Sequence, residues 1–357
     1  MQSSKEAFLT LARLGVGSIQ SESIPENVEW EAIEAIALQH GLSALIIDGI
    51  EKLPDNQRPP KELLLQWIGG VMQDETRYSV QQKTASEIAL LFHENHIRTY
   101  VLKGAVVAEC YPEPQHRVST DLDCFLMPEN SDLDAWGLGN DLIKSRGFEV
   151  STGYYKDCSF YLPGLTVENH KYLTPFRGNK KLKNLERVLQ SMLLQDKGKD
   201  RFNGTWLCRP PVLVSALFLI EHAYSHFLHE GLTWRHVLDW MMFSGEHKDE
   251  ITWSDFEILV EEFGFKKFYE SYVKLGHYLL GDITEDGLSR VEKKMLVDIW
   301  SPLDLHETVR GVKGKLALVG NTWRARWKYR YFSEISMPHA LWIQVKGFLF
   351  DKHPTLH

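Results

Sequence analysis

Cysteine is scarce in this chain of 357 residues, and its few copies follow no metal-binding or disulfide pattern. No two of them form a Cys-x-x-Cys pair, which argues against a zinc site, and their scattered spacing argues against a disulfide framework. We therefore expect reduced thiols that serve in packing, as in a cytoplasmic protein. The cysteines are Cys110, Cys124, Cys158 and Cys208.

The sequence also lacks the features of an exported or membrane-spanning protein. Its first six residues carry neither the basic nor the apolar part of a secretory signal. The longest largely apolar run, Pro211–Ile220, is too short to cross a bilayer and ends at Glu221. These features predict a cytoplasmic protein with no membrane partner.

Positive charge is not in excess. The chain has 40 Lys and Arg against 48 Asp and Glu, which gives a net charge of −8. Non-specific binding of nucleic acid normally needs a basic face on the protein, so a nucleic-acid partner is disfavoured.

Two basic stretches depart from this acidic average. The second is interleaved with Trp323, Trp327, Tyr329 and Tyr331, a mixture that could stack bases and neutralise the phosphates of RNA. We favour instead an amphipathic helix whose tryptophans pack inward. The first stretch comprises Arg177, Lys180, Lys181 and Lys183, and the second comprises Arg310, Lys313, Lys315, Arg324, Arg326, Lys328 and Arg330.

Apolar spacing near 3.6 residues predicts helices at both ends of the chain. Trp30–Leu38 has this spacing and is followed by Gly41 as a stop signal, and the segment from Pro60 to Asn95 reads as a long helix that Gly69-Gly70 could break. We expect an α+β protein with three parts: a helical domain over residues 1–90, a core over 91–200 and a helical domain over 201–357.

The core contains the strand signals. Residues 98–102 read as the first strand, and segments 148–155 and 158–162 read as two more. Pro163-Gly164 is a turn signal that leads into a further strand around Glu168, so this half of the sheet should be antiparallel. A small mixed β-sheet flanked by helices is therefore expected.

Two carboxylates on one strand are the strongest chemical signal. In Asp121-Leu122-Asp123 the side chains of the two aspartates point to the same face, because side chains alternate along a strand. Glu168 lies in another period-two segment and can complete the set from a neighbouring strand. Mg²⁺, or Mn²⁺ in its place, prefers such oxygen ligands together with the phosphates of a substrate.

A second Asp-x-Asp in the same chain shows how little the tripeptide means alone. Asp132-Leu133-Asp134 follows Ser131, which reads as the N-cap of a helix from Leu133 to Arg146. There the aspartates would only favour the helix dipole. The strand setting and the upstream Lys103-Gly104 single out the first copy.

With these motifs the sequence resembles the nucleotidyltransferase superfamily with a DNA polymerase β-like core. It is most similar to a poorly characterised bacterial branch, through Val101-Leu102-Lys103-Gly104-Ala105, Tyr111-Pro112, Arg117, Asp121-Leu122-Asp123 and Glu168-Asn169-His170. The resemblance covers roughly residues 30 to 245. It implies that Asp121, Asp123 and Glu168 ligate Mg²⁺ and that the substrate is an NTP.

One position departs from the better-known members of this superfamily. Ala105 stands where a serine directly after the turn glycine would hold the terminal phosphates. The resemblance offers Lys103 and Arg117 as replacements, and a lysine beside the turn at Gly104 is a plausible phosphate ligand. The alternatives are an ordinary strand-end lysine and an arginine that forms a structural salt bridge.

A group of histidines follows the core. His222 and His226 are four residues apart and share a helix face, while His229, His236 and Asp239 come shortly after. Structural hydrogen bonding is the reading we favour, ahead of lining the substrate cleft and an independent metal site. Candidates for cleft lining are His170, His222, His226 and Asp239.

The sequence predicts a metal-dependent enzyme that transfers a nucleoside monophosphate from an NTP, with ATP favoured, to an unidentified small molecule or protein. We expect Glu168 both to ligate the metal and to help deprotonate the acceptor. Two alternatives stay open. The chain could be a nucleotide-binding or antitoxin-like regulatory protein with weak turnover, or a transferase that acts on RNA.

Overall fold

The structure is a computed structural model that describes residues 2–129, 133–151, 155–301, 323, 325–350 and 356. Helices dominate both ends of the chain, and a single mixed sheet lies between them, as the sequence predicted. In the described part of the chain, no helix combines the length and apolarity that crossing a bilayer needs.

Four helices precede the first strand. Helices α1 and α3 pack closely, and glycine at position 49 of α3 makes this possible. An added Cβ there would collide with the backbone carbonyl of Leu11 in α1. The predicted stop at Gly41 is confirmed, since this residue caps α2 in the left-handed conformation with φ 67°. The helices are α1 (Gln2–Val16), α2 (Trp30–His40), α3 (Ser43–Glu51) and α4 (Lys61–Glu94).

Helix α4 runs without interruption through Gly69 and Gly70, so the break considered at this pair does not occur. An added Cβ at either glycine would meet open space. Each glycine costs the helix only about 1 kcal/mol relative to alanine. The buried side chains of Trp67 and Val71 on either side hold the helix against its neighbours.

The six strands have the order β3-β4-β5-β2-β1-β6. Strands β2 and β5 are parallel neighbours in the middle of the sheet, whereas β1 is antiparallel to β2. The strands are β1 (Ile97–Val101), β2 (Asp121–Pro128), β3 (Val150–Ser151), β4 (Asp157–Leu162), β5 (Leu165–His170) and β6 (Leu207–Cys208).

The antiparallel half of the sheet agrees with the sequence prediction. Strands β4 and β5 pair from Leu162↔Leu165 outward, so Pro163-Gly164 forms a two-residue hairpin turn. Gly164 has φ 78°, which glycine adopts without strain. Strand β3 is shorter than the predicted segment 148–155, of which residues 152–154 lie outside the described residues.

Two short helices connect the strands near the predicted carboxylates. Helix α5 (Ala105–Ala108) follows β1, and α6 (Ala135–Ser145) follows β2. The N-cap of α6 is Asp134, whose carboxylate accepts a hydrogen bond from the backbone of Gly137. The predicted N-cap Ser131 and the neighbouring Asp132 lie outside the described residues.

Helices resume after β5, as predicted. The fully buried Trp234 at the start of α9 contacts Trp300 at the end of α12, and Phe218 of α8 packs against His170 of β5. The described helices are α7 (Lys180–Asp196), α8 (Val212–His229), α9 (Trp234–Glu246), α10 (Trp253–Glu262), α11 (Lys266–Leu280), α12 (Arg290–Trp300), α13 (Arg326–Phe332) and α14 (Met337–Phe350).

The second basic stretch falls partly on α13. Lys328 is buried there and its ammonium lies 2.6 Å from Asp298, whereas Arg326 and Arg330 are exposed. The stretch is thus not uniformly solvated, because one of its cations belongs to the core. Arg310, Lys313, Lys315 and Arg324 lie outside the described residues.

Candidate functional site

The predicted carboxylates lie on the two central parallel strands. Asp121 and Asp123 are on β2, and Asp123 pairs in register with Glu168 on β5. The neighbouring pair in the same register is Asp121↔Thr166. Side chains two residues apart on a strand share a face, so the three carboxylates are directed to the same side of the sheet.

Asp123 is the most buried of the three, with 1% of its surface exposed. Its Oδ1 lies 3.0 Å from Nε2 of His170, and its Oδ2 lies 3.2 Å from Nζ of Lys103. Burial alone would raise the pKa of Asp123, but the Lys103 ammonium and the His170 hydrogen bond hold it below its usual value. Asp123 is therefore ionised.

The other two carboxylates carry the opposite perturbation. Burial, followed by repulsion from Asp123, raises the pKa of Asp121 above its usual value. Burial, then repulsion from Asp123 and Asp121, raises the pKa of Glu168 to about 7. The nearby positive charge is therefore enough to favour the ionised form of Asp123, but it does not offset the burial and repulsion that act on Asp121 and Glu168.

This donor set fits a divalent cation. Asp123, Glu168 and His170 each offer one ligand atom, and these atoms lie within 4.8 Å of one another. The set is dominated by carboxylate oxygens, which Mg²⁺ and Mn²⁺ prefer, and a doubly charged ion would offset the repulsion that raises the pKa of Asp121 and Glu168. Two of the predicted ligands, Asp123 and Glu168, are in this group, whereas its third member is His170 and not the predicted Asp121.

Lys103 lies two residues after the end of β1 and contacts the carboxylate of Asp123. Its ammonium contacts Asp123 and also donates a hydrogen bond of 3.0 Å to Nε2 of His222 on α8. Lys103 is thus an ion-pair partner inside the site. The alternative of an ordinary strand-end lysine does not describe it. The sequence did not indicate its contact with His222, because the two residues are 119 positions apart.

The turn at Gly104 depends on glycine. Its φ of 66° and ψ of −99° are unfavourable for side-chain-bearing residues, and an added Cβ would lie 3.2 Å from the hydroxyl oxygen of Ser119. Ser119 therefore places a hydroxyl beside this turn, although Ala105 itself has none. That hydroxyl donates to the backbone carbonyl of Asp121 at 2.9 Å.

Arg117 forms a buried two-point ion pair. Its Nε and Nη2 lie 3.1 Å and 2.6 Å from the two carboxylate oxygens of Asp239 on α9. The hydroxyl of Tyr111 donates to the same carboxylate at 2.8 Å. The structural salt bridge that the sequence left open for Arg117 is present, with Asp239 as its partner.

Arg117 and Asp239 also line a cavity, together with Asp121 and Lys103. Arg235 is a further cation in this wall, and its guanidinium donates to the backbone carbonyl of Val118. The sequence analysis missed Arg235, since nothing near Trp234 marks it as different from a surface arginine. The cavity beside Asp121 is thus lined by three cations, of which Arg117 is paired with Asp239 and Lys103 with Asp123.

The candidates for cleft lining fall in three places. His222 and Asp239 line this cavity, and so does His236. His226 adjoins His222, with ring centroids 4.4 Å apart. His170 lies behind the carboxylates, fully buried against Asp123.

Burial favours the neutral form of His222 on α8 and of His236 on α9. It lowers the pKa of His222 well below its usual value, with a further contribution from the Lys103 ammonium. It lowers the pKa of His236 in the same way, with a contribution from His226. Both rings can therefore accept hydrogen bonds or bind a metal at neutral pH without first losing a proton.

Comparison with known proteins gives one match. The model of a family described as "Uncharacterised nucleotidyltransferase" matches residues 26–281. Neither the curated proteins nor the solved structures gave a match. The matched range contains every strand of the described residues and the whole cavity beside Asp121.

Proposed function

This chain belongs to that nucleotidyltransferase family, and we propose that it transfers a nucleoside monophosphate from an NTP, with ATP favoured, to a hydroxyl of a small molecule or protein. In this reaction the acceptor oxygen bonds to the α-phosphorus as the bond from that phosphorus to the β-bridging oxygen breaks. Pyrophosphate leaves, and the acceptor loses its hydroxyl proton. The observation that carries the proposal is the register pair Asp123↔Glu168 beside Asp121 and Lys103.

Asp121, Asp123 and Glu168 would hold Mg²⁺ or Mn²⁺. Bound there, the metal would supply charge stabilisation for the attacking and leaving oxygens. Asp121 and Glu168 suit this role because burial, and then repulsion from Asp123, raises the pKa of each carboxyl, and a bound cation would favour their ionised forms.

Glu168 is the group we assign to the acceptor proton. Without a metal, burial and repulsion from Asp123 and Asp121 raise the pKa of Glu168 to about 7, which makes it the more basic member of its register pair, and a bound cation would lower this value. Asp123 cannot play this part as well, since Lys103 and His170 hold its pKa below the usual value. Two neighbouring carboxylates are thus suited to different tasks.

Lys103 would neutralise the phosphates. Its ammonium is already next to the carboxylates and lines the cavity with Arg117 and Arg235. Arg117 is fixed through two of its nitrogens by Asp239, so it would act as a positioned charge, and Arg235 would supply a further one. Ser119, beside the Gly104 turn, is a candidate for the hydroxyl that Ala105 lacks.

The test uses ATP labelled in two positions. The purified protein is incubated with Mg²⁺ or Mn²⁺, a cell extract and ATP that carries the label on either the α- or the γ-phosphate. We expect the α-label to reach a small molecule or a protein and the γ-label to appear in pyrophosphate. Transfer of the γ-label to the acceptor would replace nucleotidyl transfer with phosphoryl transfer. The Asp121→Asn/Asp123→Asn double variant is the control for contaminating enzymes.

A second candidate is a nucleotide-binding regulatory protein with little turnover. Ala105 in place of the usual serine, together with the engagement of Arg117 by Asp239, favours it. It predicts ATP binding that depends on Lys103 while no α-label is transferred to any component of the extract. Transfer that disappears in the double variant would exclude it.

A further inference from the structure

Three histidines form a cluster outside the carboxylate site. His222 and His226 lie on successive turns of α8, and His236 lies on the first turn of α9. One ring nitrogen from each lies within 4.8 Å of a nitrogen from each of the others. The centroid of the His226 ring is 4.4 Å from that of His222 and 4.9 Å from that of His236.

Two of the rings are oriented through their Nδ1 atoms. Nδ1 of His226 lies 2.8 Å from a carboxylate oxygen of Glu230, and Nδ1 of His236 accepts a hydrogen bond of 3.1 Å from the backbone of Thr233. The contact with Glu230 leaves Nε2 of His226 available, whereas the neutral ring of His236 carries its proton on Nε2, so a metal would bind Nδ1 of His236 in place of the hydrogen bond from Thr233. A carboxylate on the far nitrogen of a ligating histidine is the arrangement that orients such ligands and raises their basicity in metal sites.

We propose that His222, His226 and His236 bind one transition-metal ion of the zinc class, at a site separate from the carboxylates. Neutral imidazole suits Zn²⁺, Ni²⁺ and Cu²⁺, whereas Mg²⁺ and Mn²⁺ prefer carboxylate and water oxygens. Three protein ligands would leave a fourth position open, as in zinc sites that bind water or a substrate group. Binding would replace the hydrogen bond from Lys103 to His222 and that from Thr233 to His236, while the three nitrogens already lie within 4.8 Å of one another.

Lys103 separates the two sites. Its ammonium contacts Asp123 on one side and His222 on the other. This positive charge disfavours a single cluster in which carboxylates and imidazoles share one ion. An ion ligated through Nε2 of His222 would replace the hydrogen bond from Lys103, so the histidine site would compete with Lys103 for that ring.

The experiment measures metal binding by the full chain without nucleotide. The protein is stripped with a chelator and titrated with Co²⁺, whose visible absorption reports its ligands and geometry, and Zn²⁺ is then added to displace it. We expect one Co²⁺ per chain with the intense absorption typical of four-coordinate nitrogen ligation, which Zn²⁺ removes, whereas six-coordinate Co²⁺ at the carboxylates would absorb only weakly. His226→Gln should abolish this signal, and Glu230→Gln should weaken binding about 10–100-fold.

The matched control is His229→Gln, on the same helix. This histidine contacts the carbonyl of Ser225 and lies outside the cluster, so the variant should bind Co²⁺ as the wild type does. Asp121→Asn should also leave the signal unchanged. His236 takes part in the N-terminal cap of α9, so His226→Gln, with its melting temperature checked, decides the question should His236→Gln not fold.

Absence of the Co²⁺ signal in the wild type, or its persistence in folded His226→Gln, would overturn the proposal. Loss of the signal in Asp121→Asn would do the same, because it would place the ion at the carboxylates. None of these readouts needs nucleotide turnover. The histidine site can therefore fail while the transfer reaction stands, and the reverse also holds.

Discussion

Asp123 and Glu168 face each other across the parallel strands β2 and β5, yet their pKa values are displaced in opposite directions. Lys103 and His170 lie 3.2 Å and 3.0 Å from the carboxylate oxygens of Asp123, whereas His170 is 3.9 Å from Glu168. Glu168 receives the repulsion without an equivalent partner. One register pair thus provides both a permanently ionised carboxylate and one that titrates near neutral pH.

Replacing Glu168 by glutamine should stabilise the metal-free protein at high pH. The folded-state pKa of Glu168 is raised from 4.5 to about 7, so its contribution to stability is greatest below pH 4.5 and is lost as the pH rises to about 7. Solvent screening reduces the effect, since 37% of the side chain is exposed. We expect Glu168→Gln to exceed the wild type in unfolding free energy by about 1 kcal/mol at pH 8.

Urea unfolding with a chelator present measures this difference. At pH 4.5 and below the difference should shrink, because the wild-type carboxyl is then protonated in the folded state. Glu129→Gln, on a surface carboxylate that pairs with His93 and His96, is the control. A wild type that is more stable than Glu168→Gln at pH 8 would contradict the assigned repulsion.

Divalent cations should stabilise the wild type through the same carboxylates. Mn²⁺ at about 100 times its dissociation constant would add about 2.7 kcal/mol, which corresponds to a rise of several degrees in melting temperature. Asp121→Asn/Asp123→Asn should show no such rise. Asp55→Asn/Asp141→Asn, on exposed carboxylates away from the cavity, should respond as the wild type does. Equal shifts in all three proteins would place Mn²⁺ elsewhere.

Lys103 and Glu168 should separate nucleotide binding from chemistry. Lys103→Ala should weaken binding of a non-hydrolysable ATP analogue at least about tenfold, since a hydrogen bond to a charged group contributes roughly 1.5–3 kcal/mol. Glu168→Gln should keep most of the affinity and lower the transfer rate by about 100-fold or more. Isothermal titration and α-label transfer measure the two effects.

Lys144→Ala, a substitution of an exposed lysine that pairs with Asp141, is the control for the loss of charge. Unchanged affinity in Lys103→Ala would move the phosphate contact to Arg117 or Arg235. A binding defect as large in Glu168→Gln as in Lys103→Ala would show that Glu168 acts mainly in nucleotide binding.

The pair Arg117 and Asp239 should be costly to break from one side. Both residues are buried, so Asp239→Ala would leave an uncompensated guanidinium and should cost roughly 3–5 kcal/mol. Tyr111→Phe, which removes one hydrogen bond to the same carboxylate, should cost only about 1 kcal/mol. Denaturant unfolding measures both. The double variant Arg117→Met/Asp239→Leu should recover part of the loss, and a double variant no better than Asp239→Ala would argue against an isolated pair.

RNA should bind weakly. The net charge is −8, and one of the cations in the second basic stretch, Lys328, is buried against Asp298. We expect no measurable affinity for single-stranded RNA at ~150 mM salt, where exposed charges are largely screened. A fluorescence titration that gives micromolar affinity, reduced by Arg326→Ala/Arg330→Ala, would instead favour the RNA-directed transferase.

The carboxylates could be found from the sequence because their signal is local. Asp-x-Asp on a strand fixes the face of both side chains, and the turn chemistry of Pro163-Gly164 led correctly to the strand of Glu168. The mixed sheet and the flanking helices followed from the same periodicities. Roles of these residues in metal and nucleotide binding stay predictions, as does the division of the chain at residues 90 and 200.

The partners of those residues could not be found in this way. Asp239 is 122 positions from Arg117, and His222 is 119 positions from Lys103, so only the folded chain brings them together. The continuity of α4 at Gly69 could not be predicted locally either. Packing of the residues on either side outweighs the low helix propensity of glycine. Long-range pairing decides which charges in the cavity are free and which are engaged.

The ion pair between Arg117 and Asp239 also sets a lower limit on the size of a working fragment. It joins the segment that leads into β2 to a helix that begins after the whole sheet has been made. A chain shortened to end before Asp239 would retain the three site carboxylates, Asp121, Asp123 and Glu168. It would leave the guanidinium of Arg117 without its carboxylate partner. Limited proteolysis should therefore yield no stable core that ends at β6, and the smallest resistant fragment should extend through α9.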